Sequence, residues 1–154
     1  MNGGLVIVRM GLDHASAVAG MESACFSMPW SLAQIEAELG HDYSHYWVAE
    51  LDGDLAGYAG MNVVLDEGYV TNVAVHPGHR RRGIAQKLVE RLIGQAEEMS
   101  LAFLTLEVRK GNEAARALYA KLGFKVWGTR PGYYQKPVED ALLMTKEIGG
   151  GIPC

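Results

Sequence analysis

Three stretches of this 154-residue sequence carry residue types and spacings that could do chemistry. The first is His76-Pro77-Gly78-His79-Arg80-Arg81-Arg82-Gly83, which leads from an apolar strand into a long helix. At such a junction unpaired N–H groups and the positive end of the helix dipole point out of the turn, an arrangement suited to a phosphate. Gly83 lets the backbone approach an anion closely, small Ala85 keeps the first helical turn uncrowded, and three arginines raise the local potential. A basic surface loop ahead of an ordinary helix is the competing reading, and spacing alone leaves both open. A P-loop is disfavoured: Gly78 and Gly83 have the GxxxxG separation, yet Ile84 and Ala85 stand where Lys and Ser or Thr would meet phosphate and magnesium.

The second stretch is Leu104-Thr105-Leu106-Glu107-Val108-Arg109. Strand alternation puts Thr105, Glu107 and Arg109 on one face and the apolar residues on the other, so Glu107 is a lone acid in an apolar strand. It could be a solvated strand end, a structural partner of Arg109, or a partly buried general base. In the third, Asn112 caps a helix whose inner stripe is Ala115, Leu118, Tyr119 and Leu122. Tyr119 reads either as core or as a phenol able to donate a proton or hydrogen bond, and Asn112 as a cap that could also touch a ligand. Trp30, Tyr133 and Tyr134 are lesser candidates. Trp30 follows Pro29 and would line a groove or plug the core; Tyr133 and Tyr134 follow Pro131-Gly132 and would end a strand or sit in a loop over a substrate. His41 and His45 lie four apart in a loop-like setting, so no metal site is expected. His76 and His79 read as surface residues flanking the turn.

These residues need elements to place them. Leu5-Val6-Ile7-Val8 reads as a strand, and Asp13 as the cap of a helix bearing Ala15, Val18, Ala19 and Met21. Ser31 with Gln34 forms a capping box for a second helix ending near Gly40. The segments 46–51 and 55–65, joined by Asp52-Gly53-Asp54, read as a hairpin, with a third antiparallel strand over 69–75. Ile84, Leu88, Leu92 and Ala96 recur every fourth residue, which marks an amphipathic helix. A strand over 101–108, a helix closed by Gly123, and strands near 124–129 and 141–148 complete the series. Strand, two helices, three strands, helix, strand, helix, two strands describes an α/β sheet of the α+β type covered by helices.

Composition narrows the classes further. With 18 acidic against 14 basic residues the net charge is -4, so no global field draws the chain to nucleic acid or anionic membrane. No apolar run approaches the roughly 20 residues that cross a bilayer. The N-terminus lacks a charged segment followed by a long apolar one, and Cys25 and Cys154 form no CxxC, so a cytoplasmic protein is expected. One domain over residues 1–148 is expected, with a flexible glycine-rich tail at 149–154.

Arg80-Arg81-Arg82-Gly83-Ile84-Ala85 resembles the R/QxxGxG/A motif of the GNAT superfamily of N-acetyltransferases. It stands, as in that family, between a strand and a long helix. The run Leu106-Glu107-Val108-Arg109-Lys110-Gly111-Asn112-Glu113-Ala114-Ala115-Arg116-Ala117-Leu118-Tyr119, continued by Leu122-Gly123-Phe124, is similar to the signature of protein N-terminal acetyltransferases of the RimI and Ard type. Further matches are Phe26-Ser27-Met28-Pro29-Trp30-Ser31, Tyr133-Tyr134 and Glu139-Asp140-Ala141. The resemblance implies a GNAT fold, a mixed, mostly antiparallel sheet of about seven strands flanked by about four helices. It implies acetyl-CoA as cosubstrate. Val73, Ala74 and Val75 would hold the pantetheine arm, Arg80, Arg81, Arg82, Gly83, Ile84, Ala85 and Gln86 the pyrophosphate, and Asn112 a further part of the cofactor. Glu107 becomes the base and Tyr119 the acid, with no metal. As substrate it implies a protein N-terminus, the alanine of a small-subunit ribosomal protein, with no direct contact to nucleic acid. Lysine side chains or small amines are the alternative acceptors. A CoA-binding interaction module without turnover is the alternative of another class, and retention of both Glu107 and Tyr119 argues against it.

Overall fold

Alternating and helical periodicities in the sequence become thirteen short elements, of which seven are strands and four are α-helices among the described residues. The computed structural model describes residues 4–80 and 83–149; residues 1–3, Arg81, Arg82 and the expected tail beyond Gly149 lie outside the described residues. With strands numbered along the chain as β1 (Leu5–Arg9), β2 (Ser44–Leu51), β3 (Asp54–Val64), β4 (Glu67–Val75), β5 (Phe103–Arg109), β6 (Lys125–Tyr134) and β7 (Glu139–Glu147), the hydrogen-bonded order is β1-β2-β3-β4-β5-β7-β6, with β4 and β5 parallel and β5, β7 and β6 antiparallel. This is the mixed α/β sheet expected. Contacts group the chain into two compact units, Met1–Val63 with Thr71–Leu92, and Val64–Val70 with Ile93–Cys154.

The first unit starts with β1 (Leu5–Arg9), which pairs antiparallel with β2 (Ser44–Leu51) from Leu5↔Leu51 to Arg9↔Trp47. β2 turns into β3 (Asp54–Val64) through Asp52 and Gly53, whose φ angles of 53° and 90° are those a tight hairpin needs. Between β1 and β2 lie α1 (Ala15–Cys25) and α2 (Leu32–Leu39). Asp13 does not cap α1: it sits inside a single 3-10 turn, Leu12–His14, and His14 holds the cap position without a side-chain cap bond. The imidazole of His14 instead accepts from Gly11 N and meets Glu50 Oε2 at 2.9 Å, so this turn is fastened to β2. Ser31 caps α2 as expected, its Oγ accepting from Gln34 N while Gln34 Oε1 accepts from Ser31 N. Val18, Met21, Ile35, Val48 and Tyr58 form the core of this unit. The end of β4 (Glu67–Val75) and the start of α3 (Ile84–Glu98) complete it.

The second unit holds the start of β4, which pairs parallel with β5 (Phe103–Arg109) at Glu67↔Phe103. The expected alternation appears directly: Leu104, Leu106 and Val108 are buried, and Thr105, Glu107 and Arg109 lie on the other face. Each such buried aliphatic side chain contributes about 1.5–3 kcal/mol, which fixes the register and therefore the face on which Glu107 emerges. α4 (Glu113–Lys121) is capped by Asn112, whose Oδ1 accepts from Ala115 N at 3.1 Å. β6 (Lys125–Tyr134) and β7 (Glu139–Glu147) are the last elements among the described residues. β6 runs farther than the sequence pattern indicates, and its pairing with β7 shifts register between Arg130 and Tyr134. Tyr133 and Tyr134 therefore end a strand instead of forming a loop, and the irregular pairing absorbs Pro131 and Gly132.

Candidate active site

In the first unit, β4 ends at Val75 and the chain passes through a 3-10 turn, Pro77–His79, before α3. The turn is locally tied: His76 N donates to Ala56 O, and His76 Nδ1 accepts from Gly78 N at 3.0 Å. Arg80 Nε donates to Val75 O at 3.3 Å, and Cys25 Sγ reaches the same carbonyl at 3.4 Å. Gly83 has φ +74°, and a Cβ built there meets no described residue within 4 Å beyond its neighbours in the chain, so the residue just before a 15-residue helix is left-handed and open towards the described residues. Gly57 is tight by contrast: a Cβ would stand 2.7 Å from Ala74 O and 3.3 Å from Ile84, so its bare backbone lets β3 and α3 close on β4. Ile84 and Leu88 are buried and fix the helix end, Ala85 is half-buried, and Gln86 Nε2 donates to Glu90. An open, left-handed glycine at the N-terminus of a long helix beside exposed Arg80 fits a phosphate, and Val73 and Val75 are the half-buried residues that flank buried Ala74 on the adjoining strand. Arg81 and Arg82 belong to this turn by sequence alone, since they lie outside the described residues.

Trp30 belongs to this unit too, and it packs partly buried against the core with its ring 6.4 Å from that of Tyr46. Sequence reasoning missed the group that holds it. Glu22, 1% exposed, accepts from Trp30 N at 2.8 Å, from Tyr58 OH and from Asn72 Nδ2. Burial first, and then the Glu22 hydrogen bond, push the Tyr58 phenol far above its ordinary value. The signal was present: Glu22 falls four residues after Val18, on the buried stripe of α1.

In the second unit Glu107 lies opposite Leu143 of β7, which in turn lies opposite Gly128 of β6. Its side chain is 26% exposed, and its Oε2 stands 2.8 Å from Arg130 Nε. The contact is an ion pair without the alignment of a straight hydrogen bond, so this solvent-shielded oxygen keeps an acceptor site open. Pairing with Arg109 was one of the readings open for Glu107; that guanidinium instead pairs with Glu139 at 3.3 Å and donates to Gln135 O and Pro137 O. Glu139 also accepts from Gly111 N, which ties the β6–β7 connection to the approach of α4. Arg130 was not foreseen.

Tyr133 and Tyr134 are in edge contact, ring centroids 5.1 Å apart, with the Arg130 guanidinium over Tyr133 and that of Arg109 over Tyr134. Burial, followed by the Glu107 charge, raises the Tyr133 phenol, and the same two causes push Tyr134 up to about 12. Tyr119 is 8% exposed on α4, edge-on to Phe124 at 5.8 Å, and burial alone pushes its phenol up to about 12. The second unit thus brings Glu107 together with Tyr133 and the unforeseen Arg130, and it also carries Tyr134, Tyr119 and Asn112. Val73, Ala74, Val75, Arg80, Gly83, Ile84, Ala85, Gln86 and Trp30 belong to the first. Among the described residues no group of three or more His, Cys, Asp or Glu could hold a metal, and no helix is long and apolar enough to cross a membrane.

The sequence profile of the acetyltransferase (GNAT) family matches residues 15–124, and the chain belongs to that family. It is 37% identical over 130 residues to the ribosomal protein bS18-alanine N-acetyltransferase of Escherichia coli K12, covering 83% of this chain and 87% of that protein. It is 34% identical over 127 residues to the Haemophilus influenzae protein of the same name, covering 80% and 86%. The crystal structure of the ribosomal-protein-S18-alanine N-acetyltransferase from Escherichia coli superposes with a TM-score of 0.88 at 32% identity, covering 97% of this chain and 99% of that one.

Proposed function

We propose that this acetyltransferase moves an acetyl group from acetyl-CoA to the N-terminal amine of a protein in the cytoplasm, the acceptor being the N-terminal alanine of a small-subunit ribosomal protein. Residues 1–148 would act as one catalytic domain, a reading supported by β4 and α3, each of which runs through both compact units. The observation that carries the chemistry is the carboxylate of Glu107, held on an apolar strand with a shielded oxygen beside Arg130 and Tyr133. The acceptor is carried by the likeness to the bS18-alanine N-acetyltransferases over more than four-fifths of the chain.

Acetyl-CoA supplies an already activated thioester carbonyl, so the residues have three tasks. The turn from Arg80 to Gln86 holds the pyrophosphate against the helix terminus, while Val73, Ala74 and Val75 run beside the pantetheine arm and Asn112 adds a contact. Glu107 takes the proton from the acceptor ammonium, directly or through water, which frees the nitrogen lone pair to form the new N–C bond. As the C–S bond breaks, the sulfur leaves as a thiolate that accepts a hydrogen bond from the Tyr119 hydroxyl, and the second proton shed by the nitrogen reaches that thiolate through solvent. Trp30, Tyr133 and Tyr134 line the path of the acceptor peptide. Much of the acceleration then comes from holding two reactants in line.

The test is to mix the protein with acetyl-CoA and either peptides differing in their first residue or small amines, and to follow free thiol with the mass of each acceptor. Thiol release is expected with alanine-started peptides, each gaining one acetyl on its α-amine. Acetylation confined to lysine side chains or small amines would overturn the acceptor assignment, and binding of acetyl-CoA without turnover would overturn the enzyme.

A further inference from the structure

Glu22 is a fully buried carboxylate for which the proposed chemistry has no use. Its partners among the described residues are neutral donors: Trp30 N at 2.8 Å, Tyr58 OH, and Asn72 Nδ2 at 3.4 Å. All of them donate, and a carboxylate only accepts, so every partner is satisfied at once; an amide in its place would turn an NH2 towards one of them. The main chain of Glu22 is engaged as well, its carbonyl accepting from Phe26 N at the end of α1. Residues 26–31 connect α1 to α2, and their amides show how that connection is held. Pro29 has no N–H, Ser31 N is taken by Gln34, and Trp30 N is taken by Glu22. The Trp30 bond spans eight residues and folds the connection back on α1, with the indole against Tyr46 and with Phe26 and Met28 exposed. Asn72, which precedes Val73 on β4, keeps a second tie when Glu22 is lost, because its Oδ1 accepts from Tyr46 OH at 3.3 Å.

We infer that Glu22 is a positioning residue, the buried clasp that sets the course of residues 26–31 and so places Trp30 and its neighbours for the acceptor peptide. This rests on the functional reading above, in which Trp30 faces the acceptor. Loss of the clasp frees the connection while leaving the phosphate turn and Glu107 intact, so the defect falls on acceptor binding and spares acetyl-CoA.

Steady-state kinetics of Glu22→Ala, Glu22→Gln and wild type, with a synthetic alanine-started peptide and acetyl-CoA each varied in turn, test this. Glu22→Ala is expected to raise the peptide KM by about tenfold or more with the acetyl-CoA KM nearly unchanged. Glu22→Gln, which can still accept from Trp30 N, is expected to restore most of the loss. Equal rises in both KM values, or an unchanged peptide KM accompanied by a lower Tm, would mean that Glu22 only supports the core. Hydrogen exchange of the wild-type protein provides an arm that needs no variant: the Trp30 amide should be protected like a helical amide, and exchange at the rate of a free loop would overturn the clasp even if Glu22→Ala failed to fold. A wild-type enzyme that leaves the peptide unacetylated would refute the functional reading instead, and the exchange result would still decide the clasp.

Discussion

Replacing Tyr119 by Phe removes one oxygen and keeps the ring edge-on to Phe124. Burial holds the phenol at about 12, whereas an ordinary thiol titrates near 8.5, a gap of roughly 3.5 units. Passing the phenolic proton fully to a thiolate is therefore uphill by about 5 kcal/mol, at about 1.4 kcal/mol per unit. A hydrogen bond donated to the charged sulfur has no such cost and stabilises it by about 1.5–3 kcal/mol. Tyr119→Phe should accordingly lower kcat by roughly 10- to 150-fold, with little change in the KM for either substrate. Because the phenol stays protonated at all pH values well below 12, the loss should be the same from pH 7 to pH 10. The assay is thiol release at saturating acetyl-CoA and alanine-started peptide across that range, with circular dichroism to establish folding. A wild-type rate that falls near pH 10 while the Phe variant's does not would show that the phenol titrates as an acid, and the reasoning from burial would fail. An unchanged kcat would remove Tyr119 from the site.

Glu107→Gln should lower kcat by about 10²–10⁴-fold, the usual range for a general base, while acetyl-CoA binding measured by calorimetry stays nearly intact; unaltered turnover would take the role of base from Glu107. Gly83→Ala places a side chain at φ +74° where no described residue beyond its chain neighbours lies within 4 Å, so the cost is backbone strain of about 1–2 kcal/mol. A fall of a few degrees in Tm with weaker acetyl-CoA binding is expected, and unchanged values of both would mean that the turn does not need glycine. Stability should also decline in alkali: the Tyr119 pKa is raised on folding, so its contribution is complete below pH 10 and is lost as pH rises through about 12, which urea midpoints at pH 9, 10 and 11 would detect.

The order of elements was legible because burial of one face imposes a period, and periods can be counted. Leu104, Leu106 and Val108 alternate on β5, and Ile84, Leu88, Leu92 and Ala96 recur along α3; all of them are buried. The Ser31–Gln34 box and the Asn112 cap were legible because a cap involves neighbours in sequence. Asp13 misled for the same reason: its type and place fit a cap, whereas it lies in a 3-10 turn whose His14 bonds Glu50, thirty-six residues away. The end of β6 was read short because proline and glycine usually break a strand, and the irregular pairing with β7 that carries it through Tyr134 is a contact between strands.

The sequence by itself determined the succession of strands and helices, the family to which the chain belongs, and the positions of Gly83, Glu107, Asn112 and Tyr119 on their elements, because each depends on local spacing. The tertiary structure decided the company these residues keep. Arg130 and Tyr133 reach Glu107 from β6, Arg109 goes to Glu139, and Glu22 gathers Trp30, Tyr58 and Asn72 from three separate stretches of chain. Those pairings follow from strand order and register, which bring distant residues within hydrogen-bond range and which no local pattern encodes.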